Sequence, residues 1–208
     1  MIPINDAPFE GLAQRELTQV LNTADHRFFG LRMSQHPQAV IKLNQLLNAT
    51  QPARIVEIGA GNGGLTVLFA LYCGATGAAL HAYDQQDGEH LGLLREMGRP
   101  VELGDVFDPR KIEEIKGIIA RPGRTLLLCD CGKALEFNLL APALKVGDFA
   151  LMHDHATDHA TFERDIKGKI WNWHESWDAR VAEACAKHGI VQTTYLHDTV
   201  WFCGWRTA

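Results

Sequence analysis

Residues 54–64 read Arg-Ile-Val-Glu-Ile-Gly-Ala-Gly-Asn-Gly-Gly, a strand-like run that empties into four glycines within six positions. Glu57 is the one charge inside an otherwise apolar run, as expected of a strand covered on both faces. The glycines permit positive φ and close backbone approach, so the chain can turn at once into a helix. Leu65, Leu68, Phe69 and Tyr72 recur at helical spacing after the turn, and Gly74 is the expected stop. The unit then repeats. Strands are expected at 79–83, 100–103, 124–129 and 148–152, with helices at 90–97, from Asp108-Pro109 to about 120, and at 135–144. Asp108 followed by Pro109 is an N-cap followed by a first-turn proline. Residues 190–197 and 200–205 are β-rich and read as an antiparallel pair closed by a tight turn. Residues 157–188 read as helical at both ends with a Trp-rich break between them.

The implied fold is α/β and Rossmann-like. It is a doubly wound, mostly parallel seven-stranded sheet with a C-terminal antiparallel hairpin. Residues 8–22 and 38–48 have helical patterning, Val40, Ile41, Leu43, Leu46 and Leu47 forming a stripe, and Pro52 closes the region. We divide the chain into an N-terminal helical cap, 1–50, and a catalytic domain, 51–208.

Composition narrows the function. The 208 residues carry 20 Lys and Arg against 25 Asp and Glu, a formal charge of −5, with no basic run. That balance argues against a nucleic-acid surface. The apolar stretch at 65–71 is far shorter than the roughly 20 residues of a membrane span, and the N-terminus lacks the pattern of a signal peptide. A cytoplasmic protein is expected, with its five cysteines as buried, reduced thiols. Cys129-Asp130-Cys131 has no second pair at zinc-site spacing.

In sheets of this kind ligands bind beyond the carboxyl ends of the strands, at the switch in strand order. Here the expected strands end at Glu57/Gly59, Asp84, Asp105, Asp130 and Asp154, an acidic rim. Gly59-x-Gly61-x-x-Gly64, with an acid about 20 residues on, formally fits a dinucleotide loop. Glu57 argues against that reading, since its carboxylate would repel a pyrophosphate. It suits a cationic ligand instead, such as the ammonium and sulfonium of S-adenosylmethionine (SAM).

Val56-Glu57-Ile58-Gly59-Ala60-Gly61-Asn62-Gly63-Gly64 resembles the first motif of class I SAM-dependent methyltransferases. Tyr83-Asp84, with Gln85 behind it, resembles the second, whose acid holds the ribose hydroxyls. Gly104-Asp105-Val106 resembles the third, where the Asp meets the adenine amino group. The resemblance spans 52–206 and implies SAM as cofactor, bound by Glu57, Gly59, Gly61, Asn62, Gly63, Asp84, Gln85, Asp105, Val106 and Asp130. Phe29-Gly30-Leu31-Arg32-Met33, followed by a helix into Gln51-Pro52, more loosely resembles the cephalosporin-hydroxylase-like and related sugar O-methyltransferases.

Asp130, Lys133 and Asp154 resemble the catechol O-methyltransferase pattern. There an Asp after the fourth strand and an Asp-Asn pair after the fifth hold Mg²⁺, and a Lys three residues beyond the first Asp is the general base. The resemblance implies Lys133 as base, with His153 as its rival, and a divalent cation (Mg²⁺, Mn²⁺ or Fe²⁺) on Asp130, Asp154 and His155. His155 departs from the pattern, and imidazole favours a softer ion than Mg²⁺. Alternate strand residues face opposite ways, so Asp154 and His155 act together only if the strand has ended before them. The expected function is methyl transfer to a hydroxyl of a small molecule, aromatic or sugar-like, without nucleic acid or membrane as partner and with a homo-oligomer left open. N-methylation without metal, an NAD(P)-dependent oxidoreductase and a non-catalytic SAM-binding protein are the alternatives. Trp171, Trp173 and Trp177 read either as a substrate wall or as packing. His26, Phe28, Phe29 and Met33 are candidate lid residues.

Overall fold

A computed structural model describes residues 27–28, 31–86, 90–96, 98, 101–169 and 174–208. The 8–22 segment, His26, Phe29, Trp171 and Trp173 lie outside them, as does the side chain of Phe28. Seven strands form the main sheet: β1 Arg54–Ile58, β2 Ala79–Asp84, β3 Val101–Leu103, β4 Thr125–Cys129, β5 Phe149–His153, β6 Ile190–Thr193 and β7 Trp201–Arg206. Their order is β6-β7-β5-β4-β1-β2-β3, with β7 antiparallel to both neighbours and the other pairings parallel.

Among the described residues, the helices of seven residues or more are α1 Pro37–Thr50, α2 Gly64–Thr76, α3 His90–Glu96, α4 Pro109–Ile119, α5 Ala134–Leu140 and α6 Asp178–His188. Period-two alternation sorts the strand residues between the two faces. Val56, Ile58, Leu127, Cys129, Ala150 and Met152 pack against Ile112 and Ile115 of α4, Phe137 of α5 and Val181 of α6. Ile55, Leu126, Leu128, Leu151 and Trp201 pack on the other face against Leu43 and Leu47 of α1 and Leu65 and Phe69 of α2. Met33, a lid candidate, is buried in this second core.

Asp108 caps α4 as expected, its Oδ1 accepting from the Arg110 amide at 2.8 Å. Gly74 does not stop α2. The helix runs on to Gly77, whose φ of +77° suits glycine and ends it. The hairpin connection is longer than a tight turn and contains a 3₁₀ turn, His197–Thr199. Among the described residues no helix is long and apolar enough to cross a membrane.

Register places the site. Ile58 lies opposite Tyr83 and Cys129, and Cys129 opposite Met152. The next residues in each strand, Gly59, Asp84, Asp130 and His153, therefore emerge at one level. They do so where the chain order reverses between β1 and β4, the usual ligand crevice of such sheets.

Candidate active site

A cavity of about 270 Å³ opens on that level. Its wall includes Arg32, Ser34, Gln35, Glu57, Gly59, Gly61, Asn62, Gly63, Asp84, Asp130, His153 and Asp154. Gly59 has φ +92°, and a Cβ there would fall 2.7 Å from the Asp130 carbonyl carbon. Glycine is needed at this point because the loop backbone lies against the end of β4. Asp84 accepts from the Gly61 amide at 2.7 Å and from the Gln86 amide at 2.8 Å, which steadies the loop.

Glu57 is fully buried, and among the described residues neither of its carboxylate oxygens has a hydrogen-bond partner. Burial pushes its carboxyl up to about 8, against a smaller opposing effect of the Thr66 hydroxyl and with added repulsion from Asp130 and Asp84. A buried carboxyl without a partner is costly unless a ligand supplies one.

Not every expected cofactor residue lines this cavity. Asp105 is placed in a neighbouring depression with Gly104, Asp108, Arg110, Lys111 and Glu114. Its Oδ1 accepts from the Phe107 amide at 2.9 Å and from Gln85 Nε2 at 3.4 Å. The Val106 side chain is packed in the core beside Ile112, so it presents nothing to the cavity.

Beyond the glycine loop lies a second cluster. Ligand atoms of Asp130, His153 and Asp154 all fall within 4.8 Å of one another. His153 Nδ1 is 3.3 Å from Asp130 Oδ1 and 3.5 Å from Asp154 Oδ1. Lys133 Nζ is 3.1 Å from Asp154 Oδ2, 3.7 Å from Asp130 Oδ1 and 3.0 Å from Glu175 Oε2. Burial would lower the Lys133 pKa, but these carboxylates outweigh it and hold the ammonium protonated. His153 is likewise raised: burial opposes its charge, and Asp130 and Asp154 outweigh burial.

Backbone geometry creates the cluster. Asp154 has φ +53°, which ends β5 and turns its side chain to the same side as His153. Lys133 has φ +48° at the start of α5. A left-handed backbone at a non-glycine residue costs about 1–3 kcal/mol, and such strain concentrates at functional sites. His155 does not join this cluster. Its Nε2 bonds Asp178 Oδ1 at 2.8 Å, its Nδ1 faces Ser176 Oγ at 3.4 Å, and its ring packs edge-on to Phe202. The turn at Asp154 sends His155 into a two-residue ladder with Ser176–Trp177, so His153 takes the place expected of His155.

No protein-family model matches the sequence, and no curated protein matches it. Solved structures do. The chain superposes over 98% of its length on 88% of an apo structure of CmcI, at TM-score 0.61 and 15% identity. It covers 90% of a putative caffeoyl-CoA O-methyltransferase from Staphylococcus aureus with 93% of its own length, at TM-score 0.57 and 13% identity. The sugar N-methyltransferase KedS8 from Streptoalloteichus sp ATCC 53650 matches 82% of this chain over 87% of its own, at TM-score 0.53 and 13% identity. The fold is that of the class I methyltransferases.

Three residues of this methyltransferase-fold site escape sequence reading. Glu175 reaches Lys133 because its amide and that of Ser176 donate to the Asp154 carbonyl at 2.8 and 3.1 Å, closing the 157–175 excursion at its base. Gln35 Nε2 donates to Asp130 Oδ2 at 3.2 Å. Glu136 is fully buried and accepts from the Gly132 amide at 2.6 Å, bracing the loop between Asp130 and Lys133. Burial pushes the Glu136 carboxyl up to about 7, against the amide bonds it accepts. Of these, only Glu136 had a local signal, an acid in the first turn of a helix. Among the cysteines, Cys131 is exposed at the cavity wall, contrary to expectation, while Cys73, Cys129 and Cys203 are buried.

Proposed function

We propose that the chain transfers a methyl group from SAM to a hydroxyl of a small molecule, aided by a divalent cation. The observation that carries this reading is the continuity of one cavity. The glycine loop and Glu57 line one part of it, and Asp130, His153 and Asp154 another. Glu57 is suited to the cofactor ammonium, and Asp84 to the ribose hydroxyls. Asp130, Asp154 and the His153 Nδ1 would hold the cation. An O,O,N donor set fits Mn²⁺ or Fe²⁺ better than Mg²⁺. When bound, the ion would lower the pKa of a coordinated hydroxyl.

The substrate oxygen attacks the methyl carbon, the carbon–sulfur bond breaks, and its electron pair stays on sulfur as S-adenosylhomocysteine. The hydroxyl proton must leave. Asp130 and Asp154, two of the three carboxylates that hold Lys133 protonated, would be neutralised by a bound cation, freeing the Lys133 amine to take the proton, and the half-exposed Glu175, 3.0 Å away, offers the path to solvent. Residues 1–50 would serve as the cap and 51–208 as the catalytic part, with α1 already contributing to the core.

One observation favours a second reading. Three carboxylates face a single ammonium at Lys133, and that excess negative charge also attracts a protonated amine. Nitrogen methylation would then need no metal. The test is calorimetry of SAM and S-adenosylhomocysteine, then mass spectrometry of methyl transfer to polyols, catechols and amino sugars with and without EDTA. Metal-dependent O-methyl products support the first reading, and EDTA-insensitive N-methyl products the second. Absence of SAM binding overturns both.

A further inference from the structure

The cofactor reading leaves one group of SAM without a partner. Its methionine end is a zwitterion, with an ammonium and a carboxylate on the same carbon. Glu57, Asp84, Asp130 and Asp154 in the cavity wall suit positive charge and hydroxyl donors, and each of them repels a carboxylate. Two basic side chains line the same cavity among the described residues, Arg32 and His153. His153 is turned toward Asp130 and Asp154. Arg32 is the other basic residue of that lining among the described residues.

The segment carrying it is tied down. The Arg32 carbonyl oxygen lies 2.5 Å from where a Cβ of Gly64 would stand, an approach that only glycine at 64 allows. Asn62 Nδ2 donates to Ser34 Oγ at 3.4 Å, and Gln35 Nε2 donates to Asp130 Oδ2 at 3.2 Å. Residues 32–35 thus form a strap stitched to the glycine loop at one end and to Asp130 at the other. Its anchored backbone presents an exposed arginine beside the cavity that Glu57 lines.

We infer that Arg32 binds the α-carboxylate of the cofactor, so that the strap and Glu57 together select a zwitterionic amino-acid tail. This rests on the SAM reading above. The planar fork of a guanidinium matches a carboxylate with two parallel hydrogen bonds, and a lysine at this position would supply charge without that geometry. The strap becomes part of the cofactor site, and Gly64 acquires a second task besides starting α2.

The experiment deletes the group from each side. Binding of SAM and of its decarboxylated analogue, which keeps sulfonium and amine, is measured by calorimetry for the full chain, Arg32→Met and Arg32→Lys. The wild type is expected to prefer SAM by about tenfold to a hundredfold, the usual scale of a charge-assisted pair. Arg32→Met should lose that preference by weakening SAM alone, and Arg32→Lys should keep part of it. Equal weakening of both ligands, or no effect on either, overturns the assignment while leaving SAM as cofactor. Failure of the wild type to bind SAM at all overturns the cofactor reading itself. Arg32 is exposed, so the variants should fold, and Arg32→Gln repeats the test if Arg32→Met melts early.

Discussion

Glu57 offers the sharpest test of the cofactor assignment, because its charge state and its ligand are linked. With its carboxyl pushed up to about 8 by burial, only about 3% is ionised at pH 6.5. Ionising it there costs about 2 kcal/mol, which a cofactor ammonium must offset before any net gain appears. The dissociation constant of SAM should therefore tighten about tenfold per pH unit between pH 5.5 and 7.5, with close to one proton released per cofactor bound. The ligand ammonium, ordinarily near 7.7–8.0, stays largely charged over this window. Among the described residues the groups that perturb Glu57 are Asp130, Asp84 and the Thr66 hydroxyl, none of them a cation. Calorimetry in two buffers of different ionisation enthalpy reads the proton count directly. Glu57→Gln should flatten the pH profile and abolish the release.

Stability gives the same sign. Between 4.5 and about 8 the folded chain holds a proton that the unfolded chain has lost. Stability of the ligand-free protein therefore falls as pH rises through that window, by up to about 1.4 kcal/mol per unit. By pH 7 the sum is about 3 kcal/mol, or about 6–12 °C in melting temperature for a chain of this size. Glu136 adds a slope of the same sign over a shorter window, up to about 7, so the difference between wild type and Glu57→Gln is the quantity to follow. A wild-type affinity flat from pH 5.5 to 7.5, or an equal slope in Glu57→Gln, would refute the reasoning.

Three further outcomes follow from the geometry. Asp154→Asn should weaken Mn²⁺ binding, read by electron paramagnetic resonance, by 100-fold or more, whereas His155→Gln should leave it within a few-fold and cost about 1–3 kcal/mol of stability through the lost Asp178 bond. Equal loss of Mn²⁺ in both variants would overturn the separation of His155 from the cation site. Lys133→Met should lower kcat by about 10²–10⁴, the range of a general base, with the SAM dissociation constant nearly unchanged, and Glu175→Gln should lower it less. Gly59→Ala should destabilise the fold by more than about 2 kcal/mol in thermal unfolding and abolish SAM binding, because its methyl meets the Asp130 carbonyl carbon at 2.7 Å.

Much of this molecule is local in origin and could be read before any coordinates. The Ile55-Val56-Glu57-Ile58 run suits a covered strand, the four glycines a turn and Asp108-Pro109 a helix start, so β1, its loop and α4 stand where expected. The places of Asp84, Asp130 and Asp154 on one rim follow from the same alternation, since parallel strands of similar length end together. The strand does end before Asp154, which alternation required for Asp154 and His155 to act together, but alternation says nothing of the backbone beyond that end. The left-handed turn at Asp154 breaks the alternation, brings His153 and Asp154 together and sends His155 to Asp178. Gly74 misled for a related reason: helix C-termini need a residue at positive φ, and Gly77 is where the chain adopts it.

Sequence alone, then, determined the strand–helix alternation, the glycine loop and the acidic rim, because each depends on neighbours a few residues away. Tertiary structure decided which histidine faces the acids, that Lys133 is held between Asp130, Asp154 and Glu175, that Gln35 touches Asp130, and that Arg32 shares a cavity with Glu57. Those are meetings of residues distant in the chain. They depend on strand register and on two strained backbone positions, Lys133 and Asp154, that only the packed fold can hold.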